Sequence, residues 1–314
     1  MFRLIPLFVV LGVLVVICFA ALVGVYLFTF YSPRGKQNDE MNVAHTEQMD
    51  PLRETIEKMI ARQLSIPYER VTVTSFDGLK LAGRLYAQHE GAPFVIGFHG
   101  YRGTPSRDFS GGTVVNLEAG INCLMIEERS HCSSGGHTIT FGVKERRDCL
   151  TWIEFIRTRF GPDTPVVLSG ISMGAATVLM ASGLDLPPNV RGIVADAPFT
   201  SPRAIIRKVC GDLKLPVGLV YPFTAAAARL FGGFGLTDAD ASEAVKRTKV
   251  PILLIHGDDD RFVPCSMGRR IAAANPEMID LETFPGAGHG LSFLVDRPRY
   301  ERLVKEFYGR VLPK

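Results

Sequence analysis

The stretch that most constrains this chain is Val166-Val167-Leu168-Ser169-Gly170-Ile171-Ser172-Met173-Gly174-Ala175-Ala176. An apolar run leads into Gly-x-Ser-x-Gly, and small helix-compatible residues follow. The order is buried strand, sharp turn, helix, which is the layout of a nucleophile elbow. A Cβ at Gly170 or Gly174 would crowd the turn against the strand beside it. The helix that begins after Ser172 aims free N–H groups and its positive dipole end at the serine. The plainer reading is a strand-to-helix turn whose serine caps the helix.

Strand and helix patterns alternate around this point. Val71–Thr74 and Leu79–Tyr86 bracket Asp77-Gly78, a hairpin signal. The pattern predicts strands over 93–98, 122–126, 165–168, 190–194, 251–255 and 278–284, and helices ending at Ala119 and over 143–160 and 298–311. Short connections then require right-handed crossovers, hence a mostly parallel sheet with helices on both faces and an antiparallel strand near one edge. Residues 201–249 break the alternation with helix-favouring runs such as Ala225–Leu230. Lying between two core strands, they are expected to fold as a helical cap over the site. Phe223, Phe231 and Phe234 would either line an apolar pocket there or fasten the cap to the domain.

The N-terminus has a different character. Leu4 to Tyr31 carries no charged residue over 28 positions, and about 20 apolar helical residues suffice to cross a hydrocarbon core. A cleaved signal has a shorter apolar region, about 7–15 residues, so residues 1–31 read as an uncleaved single-pass anchor. Arg34 and Lys36 after the span, against Arg3 before it, lean toward a cytoplasmic C-terminal part. A short N-terminal tail leans the other way, so the sequence does not fix the side. Residues 32–64 read as a polar linker followed by a short amphipathic helix from Pro51, capped by Asp50. Residues 65–314 are long enough for one α/β domain. A net charge of +3 without basic clusters argues against nucleic acid. The scattered cysteines argue against a disulfide framework or zinc site.

An alcohol needs a base beside it and a carboxylate to orient that base. After this kind of elbow the expected order is serine, then Asp or Glu, then His. The chain supplies Asp258-Asp259-Asp260 after the 251–255 strand and Gly288-His289-Gly290 after the last strand. A tetrahedral intermediate also needs two donors for its oxyanion. The expected ones are the backbone N–H of Met173 and that of Tyr101, in the loop His99-Gly100-Tyr101-Arg102-Gly103. His99 precedes the elbow and is read as bracing that loop rather than as the base.

Together these residues resemble the α/β-hydrolase superfamily, in its capped branch of esterases, lysophospholipases and aminopeptidase-like enzymes of membrane-anchored bacterial type. The motifs are His99-Gly100, Arg129-Ser130-His131 with Ser134-Gly135-Gly136, Gly170–Gly174, and His256-Gly257-x-x-Asp260-x-x-Val263-Pro264 with His289. The resemblance implies that the acid is Asp260, with Asp259 its rival. It also implies a structural role for Arg129 and His131. Cys132 stands where the family usually has glycine, and Glu127 where aspartate is common. The expected activity is hydrolysis of a carboxylic ester through a Ser172–His289–Asp260 triad, on a small-molecule or lipid-like substrate, with no cofactor or metal. One alternative is a serine aminopeptidase or amidase, for which Asp238, Asp240 or Glu243 would have to recognise an amine. The other is a non-catalytic membrane-anchored interaction domain.

Overall fold

A computed structural model describes residues 5–33, 41, 43 and 45–313. Arg3, Arg34 and Lys36, on which the orientation of the apolar run rests, lie outside them. In chain order the elements are α1 (Ile5–Thr29), α2 (Arg53–Leu64), β1 (Glu69–Thr74), β2 (Lys80–Tyr86), β3 (Phe94–Phe98), α3 (Pro105–Asp108), α4 (Ser110–Glu118), β4 (Asn122–Glu127), α5 (Glu145–Phe160), β5 (Val166–Ile171), α6 (Met173–Ala181) and β6 (Val190–Asp196). They continue with α7 (Pro202–Asp212), α8 (Val217–Ala227), α9 (Ala241–Ala244), β7 (Ile252–Gly257), α10 (Cys265–Ala274), β8 (Ile279–Phe284), α11 (Ser292–Val295) and α12 (Arg297–Val311).

The strands form one eight-stranded sheet in the order β1-β2-β4-β3-β5-β6-β7-β8. β2 runs antiparallel to both its neighbours, and every other pair is parallel. Parallel strands covered on both faces read as continuous apolar runs. β3 and β7 are accordingly buried along their whole length. The strand order reverses beside β3 and β5. The crevice at the carboxyl ends of these strands is where such sheets hold ligands.

α1 is long and apolar enough to cross a membrane. Its end is built into the domain. Phe30 is fully buried against Phe141 and Phe234. Tyr31 pairs with Thr138 as an isolated antiparallel bridge, and the Tyr26 hydroxyl lies 2.6 Å from Thr138 Oγ1. The helix after the linker starts with a 3-10 turn over Asp50–Leu52. Asp50 does not cap it, because its carboxylate accepts from Arg53 and pairs with His45.

Residues 201–249 form α7, α8, a π-helical turn over Ala228–Gly232, and α9. Two of their phenylalanines pack on α1 and the residue just after it. Phe231 contacts Phe19 and Tyr26 at ring-centroid distances of 6.1 and 5.5 Å, and Phe234 packs on Phe30 at 5.4 Å. The insertion is therefore fastened beside the apolar helix, and its α7 reaches the edge of the crevice, where Lys208 lies over the Phe262 ring at 5.7 Å.

Candidate active site

Ser172 sits between β5 and α6 with φ 56° and ψ −112°, a conformation that L-residues rarely hold. Its N–H donates to the Asp196 carbonyl at 2.8 Å, which ties the turn to β6. The flanking glycines are obligatory. A Cβ on Gly174 would run into the Phe98 carbonyl, and one on Gly170 into the Gly174 backbone. β3, β5 and α6 can close on one another only with hydrogens at those positions.

The structure brings together the three side chains singled out from the sequence. His289 Nε2 lies 2.8 Å from Ser172 Oγ, and His289 Nδ1 lies 2.7 Å from Asp260 Oδ2. Both distances suit strong hydrogen bonds. Asp260 Oδ1 accepts from the amides of Phe262 and Val263 at 2.9 and 2.7 Å. Burial pushes the Asp260 carboxyl up, but hydrogen bonds from His256 and His289 and the amide of Val263 outweigh it. They hold the group well below the usual carboxylate range, so it is ionised. An ionised carboxylate fixes the proton of His289 on Nδ1 and leaves Nε2 free to accept from the serine.

The loop after β3 is held from several sides. His99 is fully buried and accepts the Glu128 N–H on Nε2 at 3.1 Å, so its proton lies on Nδ1, 2.8 Å from the Gly100 carbonyl. Burial pulls its pKa down to about 4, so it is neutral and braces the loop. His131 accepts the Arg102 N–H at 3.0 Å in the same manner. The Tyr101 hydroxyl donates to the Thr29 carbonyl at 2.9 Å, and the Arg102 guanidinium donates to the Phe28 carbonyl at 2.9 Å. These bonds satisfy carbonyls at the C-terminal end of α1 that have no intrahelical donor.

The serine opens on a cavity of about 430 Å³, within the usual size of small-molecule sites. Its apolar wall includes Met49, Ile56, Met59, Ile171, Phe293 and Leu294. Among the described residues, none of 201–249 lines it. Of the two readings for the insertion's phenylalanines, Phe231 and Phe234 follow the fastening one, and Phe223 is not among the cavity's lining residues. The roof comes from the N-terminal segment and α2, and what reads as a linker supplies wall residues Val43 and Met49.

Sequence reasoning assigned no role to three further groups. His256 is fully buried, 2.9 Å from the Val263 carbonyl and 3.4 Å from Asp260 Oδ2. It supports the carboxylate from below, and Gly268 of α10 leaves room for its ring. Asp108 Oδ2 accepts the Gly100 N–H at 2.7 Å and so positions the loop. Asp196 is buried at the cavity floor, where desolvation pushes its carboxyl up to about 6. His256 stood in a quoted motif, but nothing in the spacing of Asp108 or Asp196 announces a site.

Residues 95–302 match the model of the alpha/beta hydrolase family. The chain belongs to that family. It is 28% identical over 248 residues to the human protein ABHD12B, covering 71% of this chain and 62% of that protein. It is 24% identical to the rat lysophosphatidylserine lipase ABHD12, covering 71% of this chain and 57% of that one. Each match thus spans less than two thirds of the relative's length. Among solved structures, the Pyrococcus furiosus esterase Pf2001 superposes with a TM-score of 0.65 at 21% identity, over 90% of this chain and 97% of that one.

Proposed function

We propose that this chain is a membrane-anchored serine hydrolase that cleaves carboxylic esters of lipid-like substrates. The observation that carries the reading is the unbroken line from Ser172 Oγ through the His289 ring to Asp260, at 2.8 and 2.7 Å, beside an apolar cavity. Ser172 Oγ attacks the ester carbonyl while His289 Nε2 takes the hydroxyl proton. Asp260 holds the ring and offsets the positive charge that develops on it. The amides of Met173 and Tyr101 donate to the oxyanion, the former unsatisfied within α6 because it heads that helix. Collapse expels the alcohol, which takes the proton from His289, and Ser172 is left acylated. Water, deprotonated by His289, then attacks the acyl carbonyl and releases the acid.

Hydrolases and lipases among the relatives support the class of reaction. The peptidase reading loses its amine-recognising groups. Asp238 pairs with Arg229, Asp240 caps α9, Glu243 pairs with Lys246, and none of the three lines the cavity. α1 would hold the domain against a bilayer.

The test is a panel of p-nitrophenyl acetate, octanoate and palmitate against aminoacyl p-nitroanilides. Esters should turn over with octanoate preferred to acetate, anilides should not, and Ser172→Ala should lower kcat by about 10³-fold or more. Anilide turnover without ester turnover would overturn the ester assignment, and an undiminished Ser172→Ala rate would overturn the mechanism.

A further inference from the structure

The insertion, none of whose described residues lines the cavity, has a surface that water does not suit. Leu215 to Ala228 contains no charged residue, and Lys214 and Arg229 bracket it. Yet Leu213, Leu215, Leu219 and Leu230 are exposed, the last two by 62% and 67%. α8 packs along α1, and Phe231 lies between Phe19 and Tyr26 of that helix. Phe19 precedes the end of α1 at Thr29 by ten residues, about 15 Å at the rise of an α-helix. With α1 spanning a hydrocarbon core of about 30 Å, the part of the insertion that touches Phe19 lies below the headgroups.

From this geometry we propose that α8 and the π-helical turn after it form a second membrane-embedded element, docked against α1 and immersed in one leaflet of the bilayer. The inference rests on the reading of α1 as a membrane span. The occupant of the exposed face is lipid, because the face is continuous with the exposed apolar surface of α1 from Phe8 to Phe28. Lys214, exposed just before α8, is the kind of long basic side chain that reaches headgroups while its stem stays in apolar surroundings, and Arg229 is paired with Asp238. The cavity mouth follows from the same placement. Tyr101 and Arg102 line the cavity and bond the last carbonyls of α1. The serine therefore opens beside the point where the span leaves the bilayer, and an amphiphilic ester reaches it from the leaflet.

The experiment uses the full chain in phosphatidylcholine vesicles doped with phosphatidylcholine carrying a diazirine on its acyl chain. After irradiation, adducts are mapped by mass spectrometry. Adducts are expected within residues 8–28 and within 213–230, with none on Phe160, which is exposed at the far end of α5. Adducts on 8–28 alone overturn the inference, whether the insertion then faces water or a second copy of the chain. Adducts on neither region overturn the membrane span itself, and the inference with it. A second measurement uses Leu219→Glu with Leu230→Glu, both outside the cavity. Turnover of a vesicle-borne single-chain lipid ester should fall about ten-fold while that of p-nitrophenyl acetate stays unchanged. An unchanged rate on the vesicle substrate overturns the proposal.

Discussion

Asp258, Asp259 and Asp260 have identical side chains in one short loop and differ only in their surroundings. Asp258 accepts the Gly286 amide at 2.7 Å, and Asp259 holds Gln48 and Arg261 at the surface. Asp260 turns inward, with Oδ1 on two amides and Oδ2 on His289. Replacing it with Asn exchanges an acceptor-only oxygen pair for one oxygen and one donor, which disfavours the tautomer the serine needs. Asp260→Asn should lower kcat by about 10⁴-fold, whereas Asp259→Asn should stay near wild type, as steady-state ester kinetics will read. Cys132 illustrates what a single side chain hides. It adopts φ 47°, the left-handed region that favours glycine. The departure from the family's usual glycine was visible in the sequence, but the preservation of the glycine-like backbone was not.

At the scale of the element, the loop after β3 is fixed by neighbours that reach it from four segments. His99 ties it to Glu128 just past β4, His131 ties it to the loop beyond, Asp108 of α3 holds the Gly100 amide, and the Thr29 carbonyl of α1 accepts from the hydroxyl of Tyr101. Gly100 itself stands close to Ser172, where a Cβ would lie 3.4 Å from the serine Cβ. Asp108→Ala frees the Gly100 amide and lets the loop drift from the serine. The expected result is a fall in kcat of about 10- to 100-fold with KM little changed, because oxyanion donors act mainly in the transition state. An equal rise in KM with constant kcat would assign Asp108 to ground-state binding instead. The strands and the hairpin were legible because alternation and apolar runs follow from burial of the sheet. The destination of the insertion was not. Its helices are encoded locally, but its partner is a helix far earlier in the chain, and the contact of Phe231 with Phe19 joins residues 212 positions apart (231 minus 19). The roof of the cavity was hidden for the same reason, since Met49 and Ile56 find their place only against α4 and α11.

For the whole molecule, the buried neutral histidines give stability a pH signature. Burial depresses His99 from 6.5 to about 4 in the fold. A histidine depressed by folding contributes stability that is complete above its unfolded value. That stability is lost as the pH falls from about 6.5 toward 4, where the unfolded chain binds the extra proton. His99→Asn removes the titrating ring. Whatever it costs near neutrality, its deficit against wild type should shrink by about 3 kcal/mol between pH 7 and pH 4, as paired denaturant melts would show. A deficit that does not change with pH would mean that folding leaves the His99 pKa where it is in the unfolded chain. The measurement that tests the central claim most directly is covalent labelling of the full chain by a fluorophosphonate, with the modified residue located by mass spectrometry. The account predicts one adduct, on Ser172, abolished in Ser172→Ala and strongly slowed in His289→Ala. No adduct on the folded wild-type protein, or an adduct that forms as fast without His289, would contradict it.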